Sequence, residues 1–161
     1  SEIALGWCTY NGDHMSHYNV NSSIPKSLVR SLVRHAATRL PDTAAAIVAD
    51  IVDTPVSPEL TGNGAAITQS TEDLIGPYEL HDFFLYHFLR WKEPREKIGF
   101  LAVKAFTGRY EPAEVNKWLD VFMERFYRSQ WKRQAMPDGA KVGISLSPKG
   151  DWRMAAETRL T

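Results

Sequence analysis

Arg125, Arg128 and Lys132 recur at spacings that bring them within about 60° of one another on a helix of about 3.6 residues per turn, so three positive charges share one flank. Such a flank suits an anion. A second cationic candidate is Lys26, followed by Arg30 and Arg34 in an i, i+4, i+8 row. Lys26 falls in the first turn of its helix, where the dipole disfavours a positive charge, so either it is solvated or an anion sits beside it. Other constellations are weaker. His14 and His17, with Cys8 and Asp13 nearby, could be read as metal ligands, but a structural zinc site needs four ligands at recognised intervals and no second pair exists. As a nucleophile, Cys8 lies in apolar sequence with nothing to lower its pKa. No Gly-rich phosphate loop and no carboxylate pair in a glycosidase-like context is present. The residues alone point to a mainly helical domain with two cationic anion-binding candidates.

These charges need helices to carry them. A helix is expected from Ser23, as N-cap, to about Thr38, with Ile24, Leu28, Leu32 and Ala36 on its apolar face. Pro41-Asp42 opens another through Ile51, and Pro55 and Pro58 then break it. Glu59 to Ser70 has no helical or strand period and is expected to be a mobile loop, either a lid or an inert linker. Gly76-Pro77 starts the most apolar helix, Tyr78 to Trp91, whose Leu80, Phe83, Phe84, His87 and Phe88 form a stripe flanked by Tyr86 and Leu89. A helix apolar nearly all round is buried on several sides, which implies cover from a second subunit or from further chain. Pro94 begins a helix ending near Gly108. Glu111-Pro112 begins the longest, with Val115, Leu119, Phe122 and Phe126 as its stripe; Arg133 would lie along that stripe unless the helix ends near it or the guanidinium is paired.

Turn signals at Pro137-Asp138-Gly139 and Ser147-Pro148-Lys149-Gly150 bracket Val142, Ile144 and Leu146, which alternate with Lys141, Gly143 and Ser145 as in a half-buried strand. One short strand near 142–146 is therefore expected. It cannot satisfy its own backbone polar groups, and so calls for a partner in a second copy or in chain outside this sequence. The polar stretch from Tyr10 to Asn21 is dense in aromatics and hydrogen-bonding groups; loops of this kind often carry function, the alternative being an ordinary surface connection.

The 161 residues suffice for one domain with a real core. With 19 basic and 19 acidic residues the net charge is zero, so no global field draws the chain to nucleic acid or a membrane. A single cysteine, Cys8, excludes an internal disulfide and fits a reducing compartment. No apolar run approaches a membrane span and no signal pattern opens the chain, which makes the cytoplasm the expected location. There are no internal repeats.

Ser1-Glu2, Ala4-Leu5-Gly6-Trp7, Thr9-Tyr10, Gly12-Asp13, Met15-Ser16, Tyr18-Asn19-Val20-Asn21 and Ile24-Pro25-Lys26 together resemble the synthetase domain of the glutamine-dependent NAD synthetases. So do Ser57-Pro58-Glu59-Leu60, Gly76 to Phe83, Lys132-Arg133 with Pro137 to Val142, and Leu146 to Arg153, all in family order. The family's Ser-Gly-Gly-x-Asp-Ser pyrophosphate loop and its glutaminase domain are not in this sequence, so the chain resembles the C-terminal part of a synthetase. Its tail, Met154-Ala155-Ala156-Glu157, departs from the family's usual Pro-Ser-Asp.

The resemblance implies the helical C-terminal portion of an adenine-nucleotide α-hydrolase-like α/β synthetase fold, and a part in amidating nicotinic acid adenine dinucleotide (deamido-NAD). ATP would convert its carboxylate to an acyl-adenylate, and ammonia derived from glutamine would displace AMP, with Mg²⁺ neutralising phosphate charge. By similarity, Lys26 matches a catalytic lysine reaching ATP phosphate, and Ser57 a residue that contacts ATP. Glu2 matches an acidic residue contacting Mg²⁺ or deamido-NAD. Trp7, Tyr10, Asp13 and Lys132 match the deamido-NAD site. Family members dimerise through synthetase-domain helices, so a homodimer or higher oligomer is implied. The rival reading is a non-catalytic helical dimerisation or interaction module in which Arg128 and Lys132 are merely solvated; nucleic-acid binding is disfavoured by zero net charge. The ligase reading requires Lys26 and Lys132 to converge, once the rest of the synthetase is in place, around a bound dinucleotide and its activating nucleotide.

Overall fold

The computed structural model describes residues 1–12, 15–54 and 71–159 of the chain. The stretch expected to be a mobile loop, Glu59 to Ser70, lies outside them. Among the described residues the order is α1 (Glu2–Leu5), α2 (Lys26–Ala37), α3 (Asp42–Asp53), α4 (Thr71–Ile75), α5 (Tyr78–Tyr86), a π-helix (His87–Trp91), α6 (Arg95–Ala105), α7 (Pro112–Arg128) and α8 (Gln130–Arg133). The chain is mainly helical, as its periodicities require.

α7 is the spine. Pro112 occupies its first turn, where the missing N–H costs nothing, and Val115, Leu119, Phe122 and Phe126, at helical spacing, are fully buried. This stripe packs against α5 and α6, burying Leu80, Phe84, Ile98 and Ala102. Aromatic rings then extend the core toward the tail: Phe88 meets Phe126 at 5.0 Å between centroids and Trp152 meets Phe126 at 5.1 Å. The apolar helix from Tyr78 is thus buried on several sides, but by α7, α6, α2 and the tail of its own chain, so its composition is no argument for a second subunit. It also changes winding after Tyr86 and ends at Lys92 in the left-handed region, φ 55°.

The α2–α3 hairpin stands to one side. Helix α2 buries no residue and α3 buries only Val52. The face expected to be apolar and inward leaves Leu28 and Leu32 more than 40% exposed, and the half-buried apolar positions of α2 are Val29, Val33 and Ala37, one residue further round the helix. Helix α2 also begins later than expected. Ser23 is buried and donates to the Ala140 carbonyl at 2.8 Å, two residues before the cap position, which Pro25 takes.

The stretch expected to be a strand contributes an isolated antiparallel bridge, Val142 to Ile144, and no ladder. Gly143 at φ 80° folds the chain back on itself and so interrupts the pleat. Its neighbourhood finds partners within the chain: Asn19 N donates to the Asp138 carbonyl at 2.7 Å, and Asn19 bridges Gly139. A side chain at 139 would collide with Ser22 and the Asn19 carbonyl, so only glycine admits this contact. The turn at Ser147 to Gly150 forms as expected, with the Ser147 carbonyl accepting from Asp151 and Trp152. No described helix is long and apolar enough to cross a membrane.

Candidate functional site

The first three N–H groups of α2 have no intrahelical acceptor, and Pro25 has no side chain to offer one. The chain supplies acceptors from elsewhere. Lys26 N donates to Ser1 Oγ at 2.8 Å, and Ser27 N donates to Asp82 Oδ2 at 2.8 Å. Ser27 Oγ donates to the same oxygen at 2.6 Å, and Ser1 Oγ donates to Asp82 Oδ1. One buried carboxylate on α5 therefore accepts three hydrogen bonds and lies at the positive end of α2, where the helix dipole favours a negative charge.

Directly beside it, Lys26 Nζ pairs with Glu2 Oε1 at 2.9 Å. The Tyr78 hydroxyl donates to that carboxylate oxygen at 3.2 Å, and the Lys26 ammonium lies 5.6 Å from the Tyr78 ring centroid. Burial, and then the Glu2 carboxylate, push the Tyr78 phenol well above its ordinary range, so it stays a donor. The anion expected beside Lys26 is thus provided by the protein: Glu2 for its side chain and Asp82 for its helix.

Glu2 and Lys26 border a cavity of about 300 Å³. Asn19, Asn21 and Ser145 give it polar groups, while Ile24, Leu85 and Leu146 give it apolar wall. That volume is at the lower end for small-molecule sites, room for one moiety of a nucleotide rather than for a dinucleotide and ATP together.

The cationic flank expected on one long helix does not exist. At Ser129 the backbone leaves helical geometry, and α8 sets off as a separate turn. Arg128 pairs with Glu124 at 3.3 Å, and Arg125 lies over the Trp7 ring at 5.2 Å. Lys132 turns inward, its ammonium donating to the carbonyls of Gly6 at 2.8 Å and Cys8 at 2.6 Å. Arg133, the residue that would have spoiled the apolar stripe, is buried and donates to the carbonyls of Ala4 at 2.8 Å and Phe126, and to Gln130. Burial pushes its guanidinium down to about 10, which leaves it charged near neutrality. Ser129 Oγ completes the set with the Leu5 carbonyl at 3.3 Å. Residues 129–133 thus occupy the carbonyls at the end of α1, a place where cations complement the helix dipole.

Lys26 and Lys132 are consequently attached to the two ends of one helical turn, at residues separated by about 6 Å along its axis. Lys26 borders the cavity, as does Cys8, whose carbonyl Lys132 holds; Lys132 itself is not in the wall. Trp7 packs against the core edge, while Tyr10 stays 46% exposed, its ring 5.1 Å from that of Trp131 and tilted to it by 43°. Asp13 and Ser57 lie outside the described residues. No described group of three His, Cys, Asp or Glu side chains could hold a metal ion; Glu2 offers a single carboxylate, which suits a Mg²⁺ completed by substrate phosphates and water and not an all-protein cage.

Asp82, Tyr78, Ser1 and Ser27 were not singled out as site residues by sequence reasoning. The available signal was a carboxylate within the most apolar helix of the chain, a group that must find partners if buried, one turn from Tyr78 and so on the same face.

No family model matches the chain. Over an alignment of 179 residues it is 41% identical to the glutamine-dependent NAD(+) synthetase of Mycobacterium bovis, a match covering 98% of this chain and 26% of that protein. The Mycobacterium leprae protein of the same name is 39% identical, again over 98% of this chain and 26% of its own length. That of Rhodobacter capsulatus is 28% identical over 88% of this chain and 24% of its own length. The chain spans about a quarter of the length of the curated relatives it matches.

Proposed function

We propose, for a chain homologous over nearly its whole length to about a quarter of the glutamine-dependent NAD(+) synthetases, that it supplies part of the site at which such a ligase amidates deamido-NAD. The observation that carries this reading is the meeting of Lys26 and Glu2 at a cavity rim, since two residues 24 positions apart that resemblance assigns to ATP and to substrate or metal are brought to 2.9 Å.

The reaction needs the nicotinate carboxylate to attack the α-phosphorus of ATP, with pyrophosphate leaving, and ammonia then to attack the acyl carbon, with AMP leaving. Lys26 exchanges Glu2 for a phosphate oxygen and stabilises charge on the departing group, a task that a preplaced ammonium performs better than mobile water. Glu2, released from that pair, offers a carboxylate to Mg²⁺, which supplies further charge neutralisation when bound. Tyr10 stacks on a ring of the dinucleotide. Lys132 acts by fixing the Gly6 and Cys8 carbonyls and hence the cavity wall, with any substrate contact additional to that clamp. Asp13 and Ser57 keep the deamido-NAD and ATP roles that resemblance gives them. The cytoplasm is the proposed location.

The test is formation of NAD(+) by the full-length protein supplied with deamido-NAD, ATP, Mg²⁺ and either glutamine or ammonia, compared with its Lys26→Ala variant. A loss of about a hundredfold or more is expected for an electrostatic group of this kind. Undiminished turnover by the variant, or none by the parent protein, would overturn the reading.

A second reading, a helical interaction module, is favoured by Leu28, Leu32, Ile47 and Ile51, which leave an apolar surface on the α2–α3 hairpin with 43% to 63% exposure. The two are separated by the same assay: a module has no turnover to lose.

A further inference from the structure

We propose that Asp82 is a positioning residue for Lys26, acting from α5 through the first turn of α2. This rests on the reading of Lys26 given above and adds a residue to it.

The argument starts from where the cap comes from. A helix whose only need is a satisfied N-terminus can place Ser, Thr, Asp or Asn at its own N-cap. Here that position is Pro25, with no side-chain acceptor, and the acceptors belong to other elements: Ser1 for the Lys26 amide and Asp82 for the Ser27 amide. A cap at the helix's own N-cap position moves with the helix; a cap on α5 fixes the helix relative to α5. Asp82 is buried and accepts also from the Ser27 and Ser1 hydroxyls, so both its oxygens are committed.

The same helix fixes the far end of Lys26. Tyr78, one turn before Asp82, donates to the Glu2 oxygen that holds the ammonium. Backbone and side chain of Lys26 are therefore both referred to one rigid element, which α7 in turn packs against. Asp82 is not in the cavity wall, so it reaches the chemistry only through what it holds. Misplacing a catalytic group by about 1 Å can cost about a hundredfold in rate, and losing a buried charged acceptor frees the start of α2 to move on that scale.

The experiment is a double-mutant cycle in the full-length protein: Asp82→Asn, Lys26→Ala and the pair, with kcat and KM for ATP measured for each. The amide substitution keeps size and one acceptor while removing the charge. The expected result is a fall in kcat of about tenfold or more for Asp82→Asn when Lys26 is present, and of less than about twofold when it is absent. Losses that multiply independently would overturn the role of Asp82 while leaving that of Lys26. An unaffected Lys26→Ala enzyme would overturn both. Ser27→Ala, at an exposed position that removes one bond to Asp82, guards against misfolding and is expected to show a smaller loss with the same dependence on Lys26. Amide hydrogen exchange gives a reading independent of activity: faster exchange at Ser27 in Asp82→Asn, with the later turns of α2 unchanged, supports the anchor, and unchanged exchange at Ser27 refutes it.

Discussion

The Lys26 ammonium is 2.9 Å from Glu2, yet the two side chains retain 29% and 39% of their exposure. Ion pairs this open are worth about 1 kcal/mol or less, so the pair is poorly explained as a stabilising device. Glu2→Gln is therefore expected to change the unfolding free energy by about 1 kcal/mol at most while lowering NAD(+) formation by the full-length protein severalfold or more. Thermal denaturation beside a turnover assay checks this; a large loss of stability would make the pair structural.

Arg133 donates to the Ala4 and Phe126 carbonyls from full burial. Removing one side of such an arrangement leaves buried acceptors unpaired, so Arg133→Met is expected to cost about 3 kcal/mol or more. Lys132→Ala frees the carbonyls of Gly6 and Cys8 and should also lower stability, by about 1 to 3 kcal/mol. Activity lost in Lys132→Ala without any fall in denaturation midpoint would instead place that ammonium on the substrate.

Gly6 adopts φ 63°, and a Cβ there would run into Ser129 Cβ and Oγ. Gly6→Ala should cost more than the roughly 1 kcal/mol that a left-handed residue alone incurs, and Ser129→Gly in the same chain should recover part of the loss. Equal stabilities of the single and double variants would show that the close approach does not matter.

His81 is buried, donating through Nε2 to the Ile75 carbonyl at 2.6 Å. Burial is the chief cause of a pKa lowered to about 4, and the bond to Ile75 offsets it only in part. Because the unfolded imidazole titrates near 6.5, the unfolded chain takes up a proton that the folded chain refuses. Stability should thus fall as pH drops from about 6.5 to about 4, by about 3 kcal/mol in all, and the effect should be flat above and below that window. Denaturant titrations of the protein and of His81→Gln across this range isolate it: their difference should carry this slope, and parallel curves would refute the assignment.

Helix identity and much of the core were legible in the residues themselves. The spacing of Val115, Leu119, Phe122 and Phe126 marks a buried stripe whatever surrounds it, because periodicity is a property of the helix alone. The run from Tyr78 was likewise readable as buried, and of the family-motif residues Glu2 and Lys26 border one cavity while Trp7 packs against the core instead. What the sequence could not decide was where each polar group finds its partner. Arg133 on the apolar stripe signalled that α7 ends near it or that the guanidinium is paired without saying by what, while Ser23 as the cap for α2 and the alternation from Lys141 to Leu146 looked locally acceptable. Each was settled by hydrogen-bond partners over 50 residues away or by one backbone turn: Arg133 at Ala4, Asp82 at Ser27 and Gly143 in the left-handed region. Buried donors and acceptors must be satisfied by whatever lies nearest in space, and nearness across the chain exists only once the helices have packed.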